Sequence, residues 1–151
     1  MPEYVIVDTS VLIILEKIDQ LEILKGIYKE IYITPEVANE YNKPVPGWIL
    51  IESVKDKKYQ TFIQTQVDIG EASAIALATE KDDPILILDD LKARKLARRL
   101  DIKFTGTLGV INKAKASGLI DEIKPLLEKL KEINFRISDN ILETLLKRNN
   151  E

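Results

Sequence analysis

The chain has 151 residues, of which 45% are hydrophobic and 31% charged, and its formal net charge is -3. This length supports one hydrophobic core and is short for two, so we expect a single domain. No run approaches the roughly 20 apolar residues of a membrane span, and the acidic balance excludes a protein that coats nucleic acid through bulk charge. Because the chain does not open with a signal peptide, we expect a soluble, cytoplasmic protein without a membrane partner.

The first half of the sequence alternates short apolar runs with helical patterns. In chain order it predicts a strand at 4–7, a helix after Ser10, a second helix over 21–27, a strand at 31–33, a helix over 35–41, a strand at 48–54 and a helix around 59–67. Ser10 is the candidate cap of the first helix, and Asp19 with Glu22 has capping-box spacing before the second. Thr34 followed by Pro35 predicts an N-cap and a proline at the first helical position.

The second half continues the alternation. It predicts a helix from Gly70, a strand at 85–88, a basic helix ending near residue 100, a strand at 102–104, a helix over 110–116 with Gly118 as its C-cap, and two helices joined around 135–138. The unbroken apolar run at 85–88 is typical of a central parallel strand. We therefore expect a three-layer α/β fold with a mainly parallel sheet flanked by helices. This domain would span residues 1–118, and residues 119–151 would form a C-terminal helical extension packed on it.

The chain contains no histidine and no cysteine. Disulfides, zinc-thiolate sites and thiol nucleophiles are therefore excluded, and carboxylates are almost the only strong metal ligands or proton carriers available. Carboxylates recur where predicted strands end and helices begin: Asp8 follows the first strand, Glu71 opens an alanine-rich helix, and Asp89 with Asp90 follows the strand at 85–88. In an open parallel sheet, ligands bind beyond the carboxyl ends of the strands.

A buried cluster of these carboxylates would repel itself unless a cation neutralised it. Because every donor is an oxygen, Mg²⁺ or Mn²⁺ fits best. Such a cation polarises a phosphoryl oxygen and lowers the pKa of a bound water, so phosphodiester hydrolysis is the natural reaction. Glu36 and Glu40 lie one helical turn apart, and periodicity alone does not choose between them as ligands.

A basic segment directly follows Asp89 and Asp90. Its five cations are Lys92, Arg94, Lys95, Arg98 and Arg99. In isolation such a segment is typical of a solvated helix face. Its position beside two carboxylates makes it a candidate contact surface for the phosphates of nucleic acid.

Five short motifs occur in the order found in PIN-domain proteins, a family that the chain resembles over most of its length. They are Val-Asp-Thr-Ser at 7–10, Thr-Pro-Glu-Val with a following Glu at 34–40, Gly-Glu-Ala-Ser-Ala-Ile-Ala-Leu-Ala at 70–78, Asp-Asp-Leu-Lys-Ala-Arg at 89–94 and Gly-Thr-Leu-Gly at 106–109. The resemblance is closest to the compact prokaryotic branch that is similar to toxin-type (VapC-like) PIN ribonucleases.

This resemblance implies an endoribonuclease that hydrolyses RNA phosphodiester bonds with Mg²⁺ or Mn²⁺, often the toxin of a toxin-antitoxin pair and often a homodimer. The catalytic and metal-binding residues that it implies are Asp8, Glu40, Glu71, Asp89 and Asp90. Many relatives have Asp in place of Glu71, and the sequence leaves open which of Asp89 and Asp90 is the ligand. Ser10 and Thr107 are candidates to support a ligand carboxylate or a metal-bound water by hydrogen bonding.

Two other functions use the same residues. The first is a non-catalytic RNA-binding or protein-interaction module of the same fold that keeps the acidic site without turnover. The second is a DNA-directed nuclease of the flap type, which usually needs extra helical clamps that this short chain lacks. All of the expected acids are present, and this favours the ribonuclease.

Overall fold

A computed structural model, which describes residues 3–151, shows a five-stranded sheet in which every neighbouring pair of strands is parallel. The strands are β1 (Tyr4–Val7), β2 (Ile31–Ile33), β3 (Ile49–Ile51), β4 (Pro84–Ile87) and β5 (Lys103–Thr105). Their order across the sheet is β3-β2-β1-β4-β5. β2 and then β3 lie on one side of β1, whereas β4 and then β5 lie on its other side, so the strand order reverses between β1 and β4. Ligands of open α/β sheets bind at such a point.

The helices lie on both faces of this sheet. They are α1 (Thr9–Lys17), α2 (Ile23–Tyr28), α3 (Pro35–Tyr41), α4 (Lys57–Ile63), α5 (Ile69–Thr79), α6 (Leu91–Arg99), α7 (Thr107–Ala116), α8 (Lys124–Glu132) and α9 (Asp139–Arg148). Side chains alternate across the strands, so Val5 and Val7 belong to one core cluster and Ile6 to the other. The first core packs α1, α2, α3, α7 and α8, and the second packs α4, α5 and α6. The predicted three-layer α/β fold is confirmed.

The register of β1 and β4 places their carboxyl ends side by side. Val5 pairs with Ile85 and Val7 with Ile87. The ladder continues one residue further, because the Asp8 N–H donates to the Ile87 carbonyl at 3.0 Å. The residues that follow the two strands therefore emerge next to each other at one edge of the sheet.

The last two helices pack against the first core, to which β1 contributes Val5 and Val7. Leu126, Leu127 and Leu130 of α8 are buried in it, and the apolar face of α9 is half-buried against it. The Lys115 ammonium donates to the Asn149 carbonyl and to the Glu151 carboxylate, both at 2.8 Å. These bonds tie the end of the chain to α7.

Of the predicted caps of α1, α2 and α3, one is confirmed and two are wrong. Thr34 caps α3 as predicted, since its hydroxyl oxygen accepts from the Val37 N–H at 3.1 Å. Ser10 does not cap α1: the helix begins at Thr9, two residues earlier than predicted, and its N-cap is Asp8. Asp19 has a left-handed φ of 59° and belongs to the turn after α1. The N-cap of α2 is Glu22, without a side-chain cap bond, so the predicted capping box of Asp19 with Glu22 does not form.

The remaining differences concern the bounds of elements. The structure shortens the predicted strand at 48–54 to β3 and moves the predicted helix around 59–67 to α4, where the Asp56 side chain accepts from the Tyr59 N–H. Gly118 lies one residue beyond Ser117, the C-cap of α7, and its φ of 78° is a left-handed conformation that glycine adopts without strain. Over residues 3–151, none of the helices is long and apolar enough to cross a membrane.

Candidate functional site

Acidic residues gather where β1 and β4 end, and we call this group the acidic site. It comprises Asp8, Glu40, Asp68, Glu71, Asp89 and Asp90. Asp8, Asp68 and Asp90 are the N-caps of α1, α5 and α6. The positive ends of these helix dipoles therefore lie beside the carboxylates, which partly offsets the repulsion among them.

Asp8 is the most deeply buried of these acids, with 4% of its surface exposed. The Ser10 hydroxyl donates to Asp8 Oδ2 at 3.3 Å. The pKa of Asp8 is raised to about 6, chiefly by burial and to a smaller extent by the negative charges of Asp68 and Glu40, while hydrogen bonds from the Thr9 N–H and Ser10 lower it. A carboxyl group with this pKa is only partly ionised in mildly acidic solution.

Glu71 is also buried, with 8% of its surface exposed. Its N–H donates to Asp68 Oδ1 at 2.9 Å, and the Asp68 N–H donates back to Glu71 Oε1 at 3.3 Å, which forms a capping box at the start of α5. Burial raises the pKa of Glu71 to about 7, and the charges of Asp68, Asp8 and Asp90 contribute in that order. The negative charges of acids from three parts of the chain therefore raise the pKa of one carboxyl group.

Glu40 approaches the same place from α3. The Thr9 hydroxyl donates to Glu40 Oε1 at 2.8 Å. The carboxylate lies across the start of α5, where a Cβ added to Gly70 would be 1.9 Å from Glu40 Oε1. Glu36, the alternative that periodicity left open, instead accepts from Gln60 Nε2 at 2.6 Å and so faces α4.

The two acids after β4 have different partners. Asp89 accepts two hydrogen bonds from Thr107, and Arg94 Nη2 lies 3.6 Å from its Oδ1. Asp90 is exposed, its Oδ2 accepts from the Ala93 N–H at 3.0 Å, and its charge acts on Glu71. The structure thus turns Asp89 toward α7 and brings Asp90 to the other acids.

Asp68 is the residue of this group that the sequence analysis missed. Its signal was present, because Asp68 stands three residues before Glu71 in the spacing of a capping box. It lies outside the five motifs and follows no predicted strand, so sequence position alone did not connect it with Asp8.

The basic residues of α6 lie on two sides of that helix. Arg94 Nε donates to the Leu88 carbonyl at 3.0 Å. The guanidinium groups of Arg94 and Arg98 lie 5.4 and 5.2 Å from the centre of the Phe104 ring. The other three cations, with Leu96, line a groove of about 200 Å³ against the connection between α4 and α5; the lining residues are Gln66, Val67, Lys92, Lys95, Leu96 and Arg99.

The acidic site matches a hard divalent cation in the kind of donors it offers. Among residues 3–151, no three carboxylates form a group that could hold a metal ion as the side chains stand. Mg²⁺, however, is commonly bound through one or two carboxylates, with water and substrate phosphate completing its shell. All of the metal donors in the acidic site are oxygens. Burial and neighbouring negative charges raise the pKa of Asp8 and Glu71, which means that their ionised forms are destabilised, and a divalent cation would stabilise those forms. The residues that could hold such a cation are Asp8, Glu40, Glu71 and Asp90, with Asp89 adjacent.

The fold and the site together define a three-layer α/β domain with an acidic centre at the point where the strand order reverses. A family model described as a PIN domain matches residues 4–151, nearly the whole chain. The chain belongs to the PIN-domain family. PIN domains are generally nucleases that bind nucleic acid and use divalent metal ions. No curated protein matches the chain.

Proposed function

We propose that this protein is a metal-dependent endoribonuclease that hydrolyses RNA phosphodiester bonds. The observation that carries the proposal is the accumulation of negative charge around Asp8 and Glu71, whose pKa values are raised to about 6 and about 7. Strongly perturbed carboxyl groups in a cluster are typical of functional sites. Membership of a family of nucleases supports hydrolysis of nucleic acid as the reaction.

The proposed metal ligands are Asp8, Glu40, Glu71 and one or both of Asp89 and Asp90. Mg²⁺ or Mn²⁺ bound there would polarise a phosphoryl oxygen and lower the pKa of a water for attack on phosphorus. The Ser10 hydroxyl donates to Asp8 and the Thr107 hydroxyl donates to Asp89, and these hydrogen bonds support the proposal that both side chains orient ligand carboxylates. The Thr9 hydroxyl does the same for Glu40.

The cations of α6 would neutralise RNA phosphates next to this site. Contacts to the backbone position a nucleic acid and carry little sequence information. We therefore expect weak sequence preference from these side chains, and binding that weakens as salt increases.

The proposal is tested by incubating the protein with single-stranded RNA, structured RNA and single-stranded DNA, each with Mg²⁺, with Mn²⁺ and with a chelator. We expect cleavage of RNA that needs the cation and is lost in Asp8→Asn. Asp121→Asn is the matched control, since Asp121 is exposed before α8. Cleavage that survives in Asp8→Asn, or that continues in the chelator, would overturn the assignment.

A non-catalytic RNA-binding or protein-interaction module is the second candidate function. It is favoured by the structural roles that several acids already fill, because Asp68 and Glu71 cap α5 and Asp89 bonds to Thr107. RNA that is bound but left intact with either cation would support this module and contradict the enzyme. Cleavage of DNA alone would instead support a flap-type nuclease.

The biological role that we propose is that of a cytoplasmic toxin that acts as a homodimer and is inhibited by a cognate antitoxin. The support is the resemblance to the toxin-type branch of the family. Co-expression with the product of a small neighbouring gene should suppress RNA cleavage, and the mass in solution should be twice that of the chain. An active protein that no neighbouring product inhibits would argue against the toxin role and leave the nuclease proposal standing.

A further inference from the structure

Two buried hydroxyl groups join the start of α3 to the start of α5. The side chains of Thr34 and Ser73 are fully buried, and their oxygens lie 2.6 Å apart. Ser73 Oγ also donates to the Gly70 carbonyl at 2.7 Å, and Thr34 Oγ1 accepts from the Val37 N–H at 3.1 Å. We call this series of hydrogen bonds the hydroxyl chain.

The direction of the hydroxyl chain follows from the number of protons in it. A hydroxyl group has one proton to donate, and a carbonyl oxygen only accepts. The Ser73 proton is therefore used on Gly70, and Thr34 is the donor to Ser73. Each hydroxyl donates one bond and accepts one. Removal of either hydroxyl leaves the other without one of its bonds in a fully buried place, where an unpaired polar group is costly.

Gly70, where the hydroxyl chain ends, is also the residue against which Glu40 lies. Glu40 Oε1 accepts from the Thr9 hydroxyl at 2.8 Å, and it would be 1.9 Å from a Cβ added to Gly70. The carboxylate is therefore confined between α1 on one side and the first turn of α5 on the other. A change in the separation of α3 and α5 moves the surface against which this carboxylate is held.

Apolar packing gives α3 few contacts that could fix this separation. The helix has seven residues, and its buried side chains are Val37 and Tyr41. So short a helix gains little stability from its own backbone hydrogen bonds. Its orientation therefore depends on side-chain bonds to its neighbours. The bond of Glu36 to Gln60 is only partly buried, whereas the hydroxyl chain is buried throughout.

We propose that Thr34 and Ser73 are positioning residues that act through Glu40. The hydroxyl chain sets the separation of α3 and α5, and it thereby holds the Glu40 carboxylate where it binds a divalent cation together with Asp8. This inference rests on the proposed metal site and adds the two residues that give the site its geometry. Because both side chains are fully buried, neither reaches the cation or the substrate itself.

The inference is tested by measuring Mn²⁺ binding to the RNA-free protein by calorimetry. Ser73→Ala should weaken binding about tenfold, at the low end of the effect of residues that orient metal ligands. The same substitution in a Glu40→Gln background should cause no further loss, because the carboxylate through which Ser73 acts has already been removed. Thr34→Val should weaken binding as Ser73→Ala does, whereas Thr34→Ser, which keeps the hydroxyl, should bind Mn²⁺ as the wild-type protein does.

Two controls separate positioning from a general loss of stability. Thr79→Ala removes a hydroxyl at the other end of α5 that donates to the Ala76 carbonyl at 2.7 Å, the same local bond that Ser73 makes to Gly70. Ile23→Val shortens a buried side chain on α2 and lowers stability there. Both variants should bind Mn²⁺ as the wild-type protein does, and urea unfolding measures the stability of each.

A measurement without metal tests the same inference independently of Mn²⁺. Thr9→Val removes the hydroxyl that donates to Glu40. The effects of independent substitutions on the unfolding constant multiply to within about a factor of two. If Thr9 and Ser73 hold the same carboxylate, the effect of Thr9→Val/Ser73→Ala should be smaller than the product of the two single effects by more than this factor.

The outcomes distinguish the positioning role from the metal site itself. Unchanged Mn²⁺ binding in Ser73→Ala, an equal loss in the Glu40→Gln background, or an equal loss in either control overturns the positioning role even if the wild-type protein cleaves RNA. A wild-type protein that binds no Mn²⁺ contradicts the proposed metal site. The metal-free measurement then decides, as it does if Glu40→Gln shows no measurable binding: a joint effect equal to the product overturns the positioning of Glu40, and a smaller one supports it.

Discussion

Thr107 fixes both carboxylate oxygens of Asp89: its N–H donates to Oδ1 at 2.9 Å and its hydroxyl to Oδ2 at 2.7 Å. Gly106 allows this close approach, because a Cβ added there would lie 2.4 Å from Asp89 Oδ1 and 1.9 Å from Arg94 Nη2. Asp89 therefore joins the end of β4 to the start of α7. The negative charge of Asp90, the other acid of the pair, raises the pKa of Glu71.

The first prediction separates the two adjacent acids. Asp90→Asn should weaken Mn²⁺ binding, measured by calorimetry, more than Asp89→Asn does. Asp89→Asn should lower the free energy of unfolding by about 1 to 3 kcal/mol, because it replaces a charged acceptor of two hydrogen bonds. If Asp89→Asn loses Mn²⁺ binding and keeps its stability, then Asp89 is the ligand and the structural role is wrong.

The second prediction concerns Asp8→Asn in the absence of metal. The pKa of Asp8 is raised to about 6 in the folded protein from an ordinary value of 3.8, so its ionised form destabilises the fold. At pH 8 the substitution should raise the free energy of unfolding, by at most about 3 kcal/mol, since one pKa unit corresponds to about 1.4 kcal/mol. It should abolish RNA cleavage at the same time. Urea unfolding of both proteins checks this, and an unfolded or much less stable variant contradicts it.

The third prediction is the pH dependence of stability in the metal-free protein. Raised pKa values at Asp8 and Glu71 mean that the folded state holds protons more tightly than the unfolded state, so stability should fall as pH rises from about 5 to about 8. Glu16 and Glu52 have lowered pKa values, and their contribution is lost only below the ordinary value of 4.5, outside this window. Urea unfolding of the wild-type protein at several pH values measures the trend. A stability that rises across this window would contradict the raised values.

The fourth prediction is that protons compete with metal at the same groups. Mn²⁺ affinity should increase as pH rises through about 6 to 7, and binding near pH 6 should release protons. Calorimetry in buffers of different ionisation enthalpy measures the number released. An affinity that does not depend on pH over this range would show that Asp8 and Glu71 are not ligands.

The fifth prediction uses the close approach of Glu40 to α5. Gly70→Ala places a methyl group where Glu40 Oε1 now lies, and it should displace that carboxylate from Thr9. Alanine is also favoured over glycine in a helix by about 1 kcal/mol, so stability should hold or increase while Mn²⁺ affinity and cleavage decrease. Gly47→Ala is the control, since nothing lies within 4 Å of its added Cβ. Full activity in Gly70→Ala would exclude Glu40 as a ligand.

The division of the chain at residue 118 stays a prediction, and the packing of α8 provides a test. Leu130 is fully buried in the core that contains β1, whereas Ile141 on α9 is 48% exposed. Leu130→Ala should lower the free energy of unfolding by about 2 to 5 kcal/mol, and Ile141→Ala should change it little. If the protein unfolds in one cooperative transition and Leu130→Ala leaves its free energy of unfolding unchanged, then residues 119–151 do not share the core that contains Val5 and Val7.

The sequence by itself determined the α/β architecture, the family and most of the acids. Apolar strands that alternate with capped helices allow few arrangements other than a covered parallel sheet, because each strand needs both faces buried. In such a sheet the residue after each strand lies at a known edge. The sequence alone therefore places Asp8 and the pair at 89 and 90 together.

Only the tertiary structure decided which neighbouring side chains face each other across that edge. It joined Asp68 to the acidic site, turned Asp89 toward Thr107, placed the charge of Asp90 where it raises the pKa of Glu71, and chose Glu40 over Glu36 as the acid beside Asp8. It also divided the cations of α6 between Phe104 and the groove against the connection between α4 and α5. These relationships depend on distances between segments far apart in the chain, whereas periodicity reports only how a residue is placed within its own helix or strand.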